Sequence, residues 1–262
     1  MIILDNKLQK IARTGYVAKG SVYAITGILT FLEAINIGGQ EASKLKVLEF
    51  LDKQPFGNVL LLIMAVGLIS YSYWRFSQAI SDPENIGSDR KGKLKRVAFF
   101  ISGATYLSLA VLAVLRVIGS QSSSGDTEQS HFLATKPGLI SIGIIGAIFI
   151  IIGITKFVKA YKGDFTKKFD LRSIREEKRR KTIKNSGYLG ITSRGIVFLI
   201  IGFFAVQAAF NSDPSQIKTT SDAFSFLQES SYGAWLMGLV AAGFIGYAVY
   251  MFMMAKYRKF ND

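Results

Sequence analysis

The feature that most restricts this chain is a series of uncharged stretches, each long enough to cross a lipid bilayer. Phe56–Trp74, Val97–Leu115 and Pro137–Thr155 each run 19 residues without Asp, Glu, Lys or Arg, Gly195–Ser212 runs 18, and Ser230–Ala255 runs 26. A sixth, Gly20 to about Gly39, is interrupted only by Glu33 near its far end. A membrane-spanning helix needs about 17–25 apolar residues, whereas a buried helix of a soluble protein uses about 10–14. The alternating segments of about 10 residues expected of a membrane β-barrel are absent. The pattern therefore predicts an all-α polytopic membrane protein with six transmembrane helices.

Orientation follows from the cations. Lys7, Lys10, Arg13 and Lys19 precede or open span one, and Arg75, Arg90, Lys91, Lys93, Lys95 and Arg96 lie between spans two and three. Twelve more fall between Lys156 and Lys184, and Lys256, Arg258 and Lys259 follow span six. The positive-inside rule puts these segments, and both termini, in the cytoplasm of a bacterial inner or plasma membrane. On that reading the cytoplasmic segments hold 25 Lys and Arg against 9 Asp and Glu, and the outer ones 6 against 9. Most of the formal charge of +14 is thus an orientation signal. Trp74 and Trp235 are expected to mark the inner and outer interfaces as an aromatic belt. Met1–Arg13 is polar and basic and no cleavage site follows the first span, so span one is expected to be a retained signal-anchor.

The chain repeats itself. Lys19-Gly20-Ser-Val-Tyr23 matches Ser102-Gly103-Ala-Thr-Tyr106 and Arg194-Gly195-Ile-Val-Phe198. In the second helices, Gly67 and Tyr71 stand 10 and 14 residues after Gly57, as Gly243 and Tyr247 do after Gly233. The middle copy has Ile148 and Ile152 at those positions and is the most diverged. The copies run over residues 11–80, 95–160 and 187–256 of a single membrane domain, 1–262, with a basic connector at 161–186. Three hairpins that enter and leave on one side imply a pseudo-threefold axis along the membrane normal. Ala42–Lys53 reads as a short amphipathic helix at the outer interface, with Leu45, Leu48 and Leu51 on its apolar side.

The Arg/Lys-Gly-x-x-Tyr/Phe opening, in three two-helix copies of this length, resembles the bacterial membrane family catalogued as domain of unknown function 1206. The resemblance runs from about Ile11 to Lys256, and its most specific part is Gly15-Tyr16-Val-Ala-Lys19-Gly20, echoed at Gly187-Tyr188 and Arg194-Gly195. It implies the three-hairpin topology and carries no activity with it.

Ionisable residues within spans cost a few kcal/mol each and are functional candidates by default. Aligned repeats place Lys19, Ser102 and Arg194 at an inner level. Glu33 and Arg116 lie fourteen residues further along, about 21 Å on a helix. The inner level is the candidate pathway gate, and Glu33–Arg116 a candidate outer clasp. Long basic side chains near helix ends snorkel to headgroups, and for Lys19 that alternative is the stronger one. Arg194 stands ten residues past Lys184 with only uncharged residues between, so it either faces the bundle interior or follows an interfacial segment at Asn185–Thr192. Tyr71 and Tyr247 are candidate pocket aromatics, and Gly20, Gly103, Gly195, Gly67 and Gly243 candidate helix-packing positions.

Two alternatives stand for the connector Phe165–Lys184: an interfacial helix gripping anionic lipid, or a solvated helical link. Membrane lipids, anionic ones at the cytoplasmic face, are the expected partners, and nucleic acid is not. No Cys is present and His131 is the lone His, which argues against thiolate chemistry and His-ligated metal sites. No cofactor-binding or catalytic motif stands out, so an enzyme is not expected. The composition fits a small-solute or anion transporter with an axial pathway, or a non-transporting scaffold or lipid-binding subunit.

Overall fold

The computed structural model describes residues 6–35, 44–119, 136–172, 174–211 and 233–260. These form seven α-helices: α1 (Asn6–Ala34), α2 (Lys44–Asp52), α3 (Gly57–Ile80), α4 (Arg90–Val117), α5 (Lys136–Lys162), α6 (Glu177–Phe210) and α7 (Gly233–Tyr257). A 3-10 turn, Asp164–Lys168, joins α5 to α6, and one isolated antiparallel bridge pairs Phe169 with Arg258. His131 lies outside the described residues. Helices α3 to α7 are long and apolar enough to cross a membrane. Helix α1 is also long, 29 residues, but Lys19 and Glu33 within it dilute its apolar character.

The long helices pack in the spatial order α4–α3–α1–α7–α6–α5, each against the next. The most extensive contacts join one hairpin to another: α3 to α4, α5 to α6, and α7 back to α1. One glycine and one phenylalanine recur in all three. A Cβ built on Gly20 would meet the Phe252 ring at 2.7 Å, one on Gly103 the Phe76 ring at 3.0 Å, and one on Gly195 the Phe157 ring at 2.9 Å. Close approach of this kind is the packing expected of helices long and apolar enough to cross a membrane, where lipid supplies no hydrophobic drive between them. The guanidinium groups add to this by capping helix ends. Arg13 donates to the carbonyls of Ala255 and Lys256 at 2.5 and 2.7 Å, closing α7. Arg96 donates to those of Ala79 and Ile80, both at 2.8 Å, closing α3.

Within hairpins the packing is unequal. In the first, a Cβ on Gly15 would lie 2.4 Å from the Tyr71 Cα, and one on Gly67 would lie 2.4 Å from the Ala18 Cβ. In the third, a Cβ on Gly190 would lie 2.5 Å from the Tyr247 Cα, and one on Gly243 would run into Ser193. Gly190, one turn beyond Gly187, therefore plays the part of Gly15, and Gly187 seats the Phe165 ring instead. In the middle hairpin α4 and α5 share no packed interface among the described residues. Ile148 occupies the position of Gly67 and Gly243 there, and Ile101 that of Ala18. A branched side chain at each seat keeps the backbones apart.

Helix α2 folds against α1, α3 and α4 at the end opposite the basic segments. Its buried face is Val47, Leu48 and Leu51, while Leu45 is 52% exposed, so the apolar side is rotated from the Leu45–Leu48–Leu51 stripe expected. It faces the bundle. The expected Glu33–Arg116 clasp is not formed: Arg116 reaches Asp52, at the end of α2, at 3.7 Å. Helix α2 supplies a nearer carboxylate than the neighbouring repeat does. Trp235 is 83% exposed, as an interfacial residue would be, but Trp74 is fully buried and its indole N–H donates to the Tyr16 hydroxyl at 3.0 Å. Trp74 is a core residue, because the chain's last basic segment folds over it, with Arg258 5.4 Å and Phe260 5.6 Å from its ring.

Candidate functional site

A cavity of about 680 Å³ occupies the basic end of the bundle, lined by all six long helices, the loop between α3 and α4, the 3-10 turn and the chain's last residues. Its lining carries nine Lys or Arg side chains and two carboxylates, Glu84 and Asp164. Both carboxylates are already engaged, Glu84 by Arg258 and Asp164 by Lys167 at 2.6 Å. Concentrated cations in a low-dielectric recess focus a positive field and attract anions.

One of these cations is Arg194, on α6. Its guanidinium lies 4.5 Å from the Tyr247 ring centroid, 5.3 Å from Tyr23 and 5.8 Å from Phe198. Cation–π contacts of this kind contribute about 0.5–2 kcal/mol each but satisfy no N–H donor. Behind it, Lys19 is only 4% exposed and donates to the Tyr71 hydroxyl at 2.7 Å. Its ammonium faces three rings, Tyr71 at 4.6 Å, Tyr106 at 5.1 Å and Tyr247 at 5.7 Å, one from each hairpin. Lys19 does not snorkel. The tyrosines that surround it offer an electron-rich cage at the same depth, so it turns inward. Arg75 donates to the same Tyr71 oxygen through Nε at 2.7 Å and Nη2 at 2.5 Å, and to Gln78 at 2.7 Å. Paired rings complete the cage: Tyr71 with Tyr106 and Tyr23 with Tyr247, both at 4.7 Å and edge-on.

The expected inner level is therefore partly assembled. Arg194 and Tyr247 line the cavity, Lys19 and Tyr71 back it, and Ser102 is not among the lining residues. Tyr23, Tyr106 and Phe198, the aromatics that close the repeated openings, join the cage. Arg75 and Lys156 were counted only as orientation charges, yet both line the cavity. Their common register was the available signal, since each stands 18 residues after the glycine that opens its helix, Gly57 and Gly138.

The mouth is built by segments that no repeat pattern announces. Asp82 accepts from the backbone N–H groups of Ile86 and Gly87 at 2.8 and 2.9 Å, which curls the α3–α4 loop. The curl delivers Glu84 to Arg258, which is 3% exposed and also donates to the Tyr16 hydroxyl. Arg258 lies 5.2 Å from the Tyr16 ring and 5.4 Å from that of Trp74. Its Nε has no partner among the described residues. The Lys259 N–H donates to the Lys168 carbonyl at 3.0 Å, tying the chain's end to the 3-10 turn. Phe165 and Phe169 pack edge-on against Tyr250, so the connector's apolar residues here dock on the bundle and are not a solvated link.

Two ionisations at this mouth are displaced. Burial alone would raise the Glu84 carboxyl, but the charges of Arg258 and Lys168 and hydrogen bonds from Arg258 and Gln78 outweigh it and hold the group below its usual range. Burial, with repulsion from Arg258, lowers the Lys168 ammonium to about 7, and Glu84 opposes this only in part.

The family model described as Domain of Unknown Function (DUF1206) matches this chain three times, over residues 14–82, 97–163 and 189–258. A protein of Bacillus subtilis (strain 168), "Uncharacterized protein YxxB", is 33% identical over 254 residues, covering 96% of this chain and 91% of the relative. No solved structure matches the chain.

Proposed function

We propose, for a chain that belongs to the family described as Domain of Unknown Function (DUF1206), that it is an integral membrane protein which binds an anionic solute in an inward-facing cavity and carries it across. The observation behind this reading is Arg194. It is a guanidinium with three aromatic contacts and no acceptor among the described residues, in a recess whose lining has nine cations and two engaged carboxylates. Placing such a charge at membrane depth costs a few kcal/mol, which a phosphate-like or carboxylate ligand would offset through charge-assisted hydrogen bonds.

In this reading α1 is the sixth crossing, since it packs between α7 and α3 like the other long helices. The recurring Gly–Phe seat supports a pseudo-threefold arrangement about the membrane normal. The excess of cations puts the cavity's mouth and both termini in the cytoplasm of a bacterial membrane. Val47, Leu48 and Leu51 of α2, with Leu61, Met64, Leu109 and Ala113, form an apolar seal toward the opposite side. The seal makes this an inward-facing state, and release outward requires α2 to shift. The cavity is a place of binding and passage, with no catalytic role.

The chain has no Cys, so a single cysteine reports without background. Arg194→Cys in oriented vesicles is expected to react with membrane-impermeant thiol reagents from the cytoplasmic side, and sulfate is expected to slow labelling of Lys156→Cys. Failure of Arg194→Cys to label from either side would remove the aqueous cavity and with it the transport reading.

A further inference from the structure

The molecule's asymmetry bears on what the cavity holds. Two of three hairpins close by seating small residues, and the middle one does not. Ala18 on α1 is 8% exposed, whereas Ile101 at the matching position of α4 is 60% exposed. Ile148, standing where Gly67 and Gly243 make close contact, is 47% exposed. Among the described residues, α4 and α5 thus lack the packed interface that the other two hairpins have.

This space borders the cavity: helix α4 supplies Ala98 to the lining and α5 supplies Lys156, and no packed α4–α5 interface stands between them among the described residues. The two sides of the space also change character with depth. Lys156 lies at the basic end, and Ile148 is eight residues, about 12 Å, deeper along the same helix. A cation at headgroup level with exposed isoleucines at acyl-chain level has the polarity of an anionic lipid. A freely soluble anion gains nothing from the apolar half.

We propose that the space between α4 and α5 is a lateral portal, and that the ligand is an amphiphile with a phosphate headgroup, received by Arg194 and Lys156, whose acyl chain lies along Ile101 and Ile148. The inference rests on the anion-binding reading above and names the substrate class of that same site. A phospholipid already resident in the leaflet reaches the site by sliding sideways and never leaves the membrane. Arg258, whose buried Nε has no partner among the described residues, lines the same recess at its mouth.

The test uses the full chain in nanodiscs of phosphatidylcholine containing a small fraction of photoactivatable phosphatidic acid, with the same photoactivatable group on phosphatidylcholine as control. Inorganic phosphate binding is measured in parallel by its protection of Ala98→Cys, at a cavity-lining position, from labelling. The expected result is phosphatidic-acid adducts on α4 and α5 near Ile101 and Ile148, at least tenfold more than with phosphatidylcholine, and lost in Arg194→Gln. Ile148→Trp, which fills the opening, should cut adduct formation severalfold while phosphate protection stays unchanged. Ile148→Ala gives a second, milder variant should the tryptophan fail to fold, and is expected to keep phosphatidic-acid selectivity.

Equal adducts from both lipids would mean ordinary annular lipid and overturn the portal. Cross-links from the strip to a second copy of the chain would overturn it too. Phosphate protection that depends on Arg194 without lipid selectivity would sink the lipid inference and leave the anion site standing. Absence of both would sink both.

Discussion

A guanidinium donates through five N–H groups and accepts nothing, so three aromatic faces leave Arg194 short of what its burial demands. Sequence position alone marked it out, because no orientation rule required a cation there. Lys19 was not separable in that way. Its place near a helix end fits snorkelling as well as burial, and only the convergence of Tyr71, Tyr106 and Tyr247 from three hairpins decides between them. Lys168 supplies a titration at the mouth. With its ammonium lowered to about 7 by burial and by Arg258, and with Arg75 and Lys159 also repelling it against Glu84 alone, it loses its charge as pH rises through neutrality. Sulfate stays dianionic over this range, so its affinity should fall roughly fivefold between pH 6 and 8, an effect of about 1 kcal/mol. Lys168→Met should flatten the profile and Lys168→Arg should hold it high; an unchanged profile in Lys168→Met would remove this residue from the site. The ligand-free fold has the opposite trend. A lysine depressed in the folded state makes stability rise with pH from about 7 toward the ordinary lysine value.

Among the elements, the hairpins show how one residue type sets helix separation. Gly67 meets Ala18 with no room for a side chain, whereas Ile148 at the same register faces open space. Gly67→Ile should therefore overpack the α1–α3 contact and cost about 1–3 kcal/mol, read as a lower thermal midpoint in detergent. Ile148→Ala should change the midpoint little, because no packed partner stands across that face of α5 among the described residues. A comparable loss in both would mean that the middle hairpin is packed after all. The repeat registers made the glycines legible in the sequence. They also contained Phe76, Phe157 and Phe252, each 19 residues after the glycine that opens its helix, but a phenylalanine in an apolar span carries no mark of its own. Its partner glycine lies on another hairpin, and that pairing is visible only once the helices are side by side.

For the molecule as a whole, the cations gather at one end and the apolar seal of α2 lies at the other, which fixes a direction for the proposed pathway. Ser88→Cys, in the exposed α3–α4 loop, should label only from the cytoplasm and Lys53→Cys, beside α2, only from outside. Labelling of both from one side would refute the crossing of α3 and the six-span reading with it. The sequence by itself determined the membrane-crossing lengths, the threefold repetition, the concentration of cations and the divergence of the middle copy. These are one-dimensional signals: span length, register and charge position are complete before any helix meets another. The tertiary structure decided that Glu84 meets Arg258 across 174 residues, that Arg116 takes Asp52 in place of Glu33, and that α4 and α5 share no packed interface among the described residues. Such choices depend on how closely two backbones approach and which faces they turn to each other, and no single helix carries that information alone.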